Sequence, residues 1–74
     1  MELTIRLFAT FRDGRFQSEK REYPPETLLG NIVDDLKLAR DEIGVMLVNG
    51  RHASFEQKLA PGDAVSIFPQ VGGG

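Results

Sequence analysis

The chain has 74 residues, 41 % hydrophobic and 27 % charged, with no cysteine, one histidine and a formal charge of −2. One small globular domain fits that length, while disulfides, thiolate chemistry and a histidine-only or thiolate metal site are excluded, so no metal is expected. The mildly acidic balance argues against nucleic acid as a partner. With no apolar run near the roughly 20 residues that span a bilayer and no basic-then-apolar start, a cytoplasmic protein without a membrane partner is expected.

The first element is a strand over residues 2–8. Leu3, Ile5 and Leu7 alternate with Thr4, Arg6 and Phe8, which gives one core face and one outer face. Arg12-Asp13-Gly14 supplies a turn, and the polar stretch 15–23 reads as a second, antiparallel edge strand. The basic residues gathered here (Arg12, Arg15, Lys20, Arg21) are interrupted by Asp13, Glu19 and Glu22 and read as a solvated loop and edge.

Pro24-Pro25 ends that strand, and Thr27 is the expected N-cap of a helix. Leu28, Leu29, Ile32, Val33 and Leu36 recur at helical spacing, with Asn31, Asp34, Asp35 and Lys37 opposite. Gly30 inside the helix costs about 1 kcal/mol relative to alanine, which burial of the stripe must outweigh. Lys37 and Arg40 suit the negative pole at the helix end.

Residues 45–48 form a short apolar strand running into Asn49-Gly50, a pair that favours a two-residue hairpin turn. Residues 51–54 return. Phe55 and Leu59 lie in a connection that covers the core edge, Pro61-Gly62-Asp63 turns the chain, and residues 64–68 make the last strand. Strand, strand, helix, strand, short strand, strand is an α+β order in which one amphipathic helix covers one face of a mixed sheet. A hairpin followed by a helical crossover sets the last strand parallel to the first. This is a β-grasp, or ubiquitin-like roll, over residues 1–68, with residues 69–74 as a flexible tail.

Side-chain chemistry is sparse. His52, just after the hairpin turn, reads as a surface or half-buried residue, and Asp34-Asp35 and Asp41-Glu42 as solvated charge, because sequence neighbours do not face each other on a helix. No glycine-rich phosphate loop joins a strand to a helix. The ending, Phe68-Pro69-Gln70-Val71-Gly72-Gly73-Gly74, is different. Pro69 stiffens the exit, and three glycines make a backbone thin enough to thread a narrow channel. Phe8 and Phe68 end the outward rows of strands expected to be neighbours, so they form an apolar docking patch beside the tail. Arg6 and Arg51 are candidates for its charged rim.

A β-grasp order with Leu7-Phe8-Ala9, Val48-Asn49-Gly50, Leu59-Ala60-Pro61-Gly62-Asp63-Ala64-Val65 and a terminal diglycine resembles the MoaD/ThiS family of ubiquitin-like sulfur carriers. The resemblance covers essentially the whole chain. The ending is most similar to the molybdopterin synthase small-subunit branch, where phenylalanine, two prolines, valine and a small residue precede two glycines. Gln70 departs from that pattern at the second proline.

The resemblance implies a protein that is not an enzyme alone and binds no cofactor itself. A ubiquitin-activating-type adenylating enzyme would use ATP and magnesium on the carboxylate of Gly74, next to Gly73, and a sulfur donor protein would convert it to a thiocarboxylate. The tail would then enter a molybdopterin synthase large subunit and give sulfur to a pterin precursor. Phe8, Phe68, Pro69, Val71 and Gly72 would contact partners. Thiamine thiazole synthesis, with thiazole synthase as partner, another sulfur pathway, conjugation to target lysines, and a passive ubiquitin-like interaction module remain the alternatives.

Overall fold

Leu3, Ile5 and Leu7 are wholly buried along β1 (Glu2–Leu7), and Val65 and Ile67 are buried along β5 (Ala64–Pro69). They meet Leu29, Ile32, Val33 and Leu36 of the helical stripe in one core. The computed structural model describes residues 1–70. In chain order the remaining elements are β2 (Ser18–Glu22), α1 (Leu29–Asp35), β3 (Ile43–Val48) and β4 (Arg51–His52). The five strands form one sheet in the order β2-β1-β5-β3-β4. β1 pairs antiparallel with β2 and parallel with β5, and β3 pairs antiparallel with β5 and β4. This is the mixed sheet and single helix of a β-grasp fold. No helix among the described residues is long and apolar enough to cross a membrane.

Several local expectations are corrected. After β1 the chain makes a 3₁₀ turn (Ala9–Arg12) that buries Phe11 in the core, although Phe11 belongs to no apolar periodicity. β2 begins at Ser18 rather than Arg15, because Arg15 is drawn to the end of α1. Its Nε and Nη2 donate to the carbonyls of Leu36 (3.1 Å) and Lys37 (3.3 Å). Arg15 therefore supplies the cation at the negative helix end, the role expected of Lys37 and Arg40. Arg40 instead reaches back to Asp34 through two hydrogen bonds of 3.1 and 2.9 Å, which hold the Asp34 carboxyl below its ordinary value.

The helix caps also differ from expectation. Leu28, not Thr27, is the N-cap. The Thr27 hydroxyl is committed to the turn before the helix, donating to the Pro24 carbonyl at 2.7 Å. The Asn31 Oδ1 then accepts from the Leu28 N–H at 2.9 Å. Leu28 is only half-buried, so the core stripe starts at Leu29. At the other end Lys37 adopts φ +59°, and its N–H and that of Leu38 donate to Asp34 and Val33. That is a Schellman ending with lysine where glycine is usual.

Gly30 has a packing reason. Its N–H donates to the Phe55 carbonyl at 2.8 Å, and a Cβ there would lie 3.1 Å from that oxygen and 2.7 Å from the Arg40 guanidinium. The segment after β4 thus runs close across the helix, placing Leu59 in the core and Phe55 against it. Asn49 does more than turn the hairpin. Its Nδ2 donates to Asp63 at 2.8 Å, and its Oδ1 accepts from the Ala64 N–H at 2.9 Å. The two turns are therefore bound to each other at one end of the sheet.

Candidate functional site

The outer sheet face, opposite α1, ends in an aromatic pair. Leu7 pairs with Ile67 across two parallel strands, so the next residues, Phe8 and Phe68, emerge side by side at the same sheet end. Their rings stack with centroids 4.0 Å apart and planes 11° from parallel. Both are half-buried. The Arg12 guanidinium lies 5.3 Å from the Phe8 ring centroid, and its Nε donates to the Leu7 carbonyl at 2.7 Å. Arg12 is thus half-buried in the site rather than loose in a solvated loop.

The pair opens onto an apolar depression of about 740 Å³ that continues over Val45 and Leu47 to His52. Val45 is 36 % exposed and is continuous with this apolar surface. Alternation explains its position. Val45 pairs with Phe68, Leu47 with Ser66, and His52 with Leu47, so all share the outer face. The expected patch is larger than two rings, and its extension was legible only as an apolar run in β3.

The rim is partly as expected. Arg6 is exposed on the outer face, since it pairs with Ser66 of the same row. Arg51 does not belong to the rim. It pairs with Val48, which packs on the core, so Arg51 projects toward the helix side. His52 takes its place. The two-residue turn Asn49-Gly50 contained the signal, because it sets residue 51 opposite residue 48.

At the sheet end the chain is held further than residue 68. Pro69 is the last residue of β5 and pairs with Ile43. Gln70 N–H donates to the Glu42 carbonyl at 2.9 Å, and its Nε2 donates to the Asp41 carbonyl at 2.8 Å. Gly44 sits at a bulge in β3, where a Cβ would meet the Pro69 carbonyl at 2.8 Å and Gln70 Cα at 3.0 Å. Pro69 and Gln70, assigned to the tail by the sequence, are thus held against the fold. Val71, Gly72, Gly73 and Gly74 lie outside the described residues.

Elsewhere the charged groups are structural. Tyr23 Oη donates to Asp35 at 3.0 Å, and Arg21 bridges Glu19 and Asp35, tying β2 to α1. Burial, with that hydrogen bond second, holds the Tyr23 phenol above its ordinary value. Among the described residues no group of three or more histidine, aspartate or glutamate side chains is placed to hold a metal ion.

A β-grasp fold with a half-buried aromatic pair on its outer sheet face, in a chain whose sequence goes on to three glycines, has the features of a ubiquitin-like carrier domain. Solved structures similar to it share the fold. A Haloferax volcanii protein, HVO 2177, is 32 % identical with a TM-score of 0.83, covering 100 % of this chain and 87 % of that one. A Pyrococcus furiosus protein provisionally assigned as molybdopterin converting factor subunit 1 is 25 % identical with a TM-score of 0.78, covering 96 % and 99 %. SAMP1 of Haloferax volcanii is 24 % identical with a TM-score of 0.77, covering 100 % of both chains, a likeness of fold. No curated protein sequence matches the chain. The chain belongs to the ThiS family, whose model matches residues 5–74.

Proposed function

We propose that this protein is a sulfur carrier for molybdenum or tungsten pterin cofactor synthesis, acting through the carboxylate of Gly74. A carboxylate is a poor electrophile. Attack of its oxygen on the α-phosphorus of ATP, in a partner adenylating enzyme that supplies magnesium, releases pyrophosphate and leaves an acyl-adenylate. Hydrosulfide released by a donor protein then attacks the acyl carbon, AMP leaves, a proton is lost, and the carrier ends as a thiocarboxylate. The tail delivers that sulfur inside the large subunit of a molybdopterin synthase-type enzyme, working in the cytoplasm.

The observation that carries this reading is the placement of the Phe8–Phe68 stack at the root of the glycine segment. A partner docked on the stack receives the tail at once, and Phe8, Phe68, Pro69, Val71 and Gly72 are its contacts. Membership of the ThiS family over residues 5–74 supports carrier chemistry. The Pyrococcus protein's assignment as a subunit 1 favours the pterin branch over thiazole synthesis.

The test is intact-mass spectrometry after incubation with the adenylating enzyme, ATP, magnesium and a sulfur donor. The expected result is an oxygen-to-sulfur exchange at Gly74 that is lost when Gly73 and Gly74 are deleted. An unchanged mass under conditions that convert a control carrier overturns the reading. The likeness to SAMP1 favours a second reading, a protein modifier. Conjugates of higher mass in cells, lost with the same deletion, would establish it.

A further inference from the structure

We infer that Gln70 is a latch that sets the reach of the tail, a positioning residue for the transfer proposed above, on which its functional role rests. Two donors of one residue are fastened to consecutive carbonyls. The Gln70 N–H bonds to Glu42 at 2.9 Å and the side-chain Nε2 bonds to Asp41 at 2.8 Å. Those carbonyls belong to the 3₁₀ turn Arg40–Glu42, which leads into β3. Gly44 allows the Pro69–Gln70 backbone to approach to distances that any side chain would obstruct. Proline at position 70 would have neither donor, since it lacks an N–H and a side-chain amide.

The latch converts sequence length into a distance. Beyond Gln70 the sequence continues for four residues, Val71 to Gly74. At roughly 3.3–3.6 Å per extended residue they span at most about 14 Å. A partner's reacting atom must therefore sit within about 14 Å of the latch. A partner seated against the sheet end that carries Phe8 and Phe68 satisfies that limit. Releasing Gln70 moves the last fixed point back to Pro69, lengthens the reach by about one residue and spreads the carboxylate over more positions, which lowers its effective concentration at the reacting centre.

Two variants test the latch. Gln70→Ala removes the side-chain bond and Gln70→Pro removes both, while the core is untouched. Amide exchange read by NMR on the isolated protein comes first. The native Gln70 N–H is expected to exchange more slowly than an unstructured amide, and Gln70→Ala to speed its exchange. Turnover with the adenylating enzyme and ATP, read as pyrophosphate release, comes second. Gln70→Pro is expected to lower kcat by about thirtyfold, the worth of two net hydrogen bonds of about 1 kcal/mol each, whatever change in KM follows from Gln70 lining the edge of the docking depression. Deleting Gly72 is expected to slow the native protein more than it slows Gln70→Pro, whose reach is longer.

An unprotected Gln70 amide overturns the latch. A Gln70→Pro variant with native kcat, or with a raised KM alone, overturns the positioning role. A native protein that is never adenylated overturns the proposed function and this role with it. A protected Gln70 amide in that case identifies the fault as lying in the function and not in the latch.

Discussion

The rings of Phe8 and Phe68 stack 4.0 Å apart although 60 positions separate them in sequence, because β1 and β5 run parallel and end together. Parallel pairing through a crossover is thus what builds the exposed apolar surface. Phe68→Ala is expected to weaken binding to the adenylating enzyme by about 2 kcal/mol, roughly thirtyfold in Kd. It should lower folding stability by only about 1 kcal/mol, the scale of an aromatic pair. Arg51→Ala, on the other side of the sheet, should leave Kd unchanged. Titration calorimetry and denaturant unfolding measure the two effects.

Gly44→Ala is expected to destabilise the fold by about 1–3 kcal/mol, as overpacking does. The new Cβ would meet backbone atoms of Pro69 and Gln70 rather than a side chain that can swing away. Denaturant unfolding should show the loss, and NMR shifts should change mainly near residues 42–44 and 68–70.

Lys37→Gly is expected to stabilise the protein. Lysine at φ +59° pays the left-handed penalty of about 1–2 kcal/mol, and glycine removes it while adding unfolded-state entropy worth about 0.5–1 kcal/mol. A net gain of about 0.5–1 kcal/mol should raise Tm by roughly 4 °C, as calorimetry would show.

Asn49→Ala is expected to lower stability by about 2 kcal/mol, since two hydrogen bonds to Asp63 and Ala64 are lost and φ +52° stays unfavourable without the amide. The corresponding fall in Tm is on the order of 10 °C.

Tyr23 gives a pH dependence with a definite sign. Its phenol is held above the ordinary value by burial first and the Asp35 hydrogen bond second. As pH rises through the ordinary tyrosine range near 10, the unfolded chain loses its proton before the folded one does. Stability from this group is therefore complete below that range and declines as pH climbs through the folded value. Denaturant unfolding from pH 8 to 11 should show a smaller decline for Tyr23→Phe than for the native chain.

The sequence by itself determined the elements whose information is local. The Leu3, Ile5, Leu7 alternation defines a strand, the Leu29, Ile32, Val33, Leu36 spacing defines a helix, and Asn49-Gly50 defines a tight turn. Their order restricts the topology to one with β1 beside β5, and so the Phe8 and Phe68 pair was legible too. Tertiary structure decided what depends on segments far apart in the chain. Arg15 rather than Lys37 serves the helix end, because the loop after β1 passes there. Phe11 fills the core, and Arg51 leaves the rim to His52, because register sets the direction of each side chain. Gly44 and Gln70 carry no periodic signal at all. Their roles exist only because β3 and β5 bring residues 42–44 against 69–70, an approach close enough that the side chain absent from one residue and the donors present on the other decide where the chain leaves the fold.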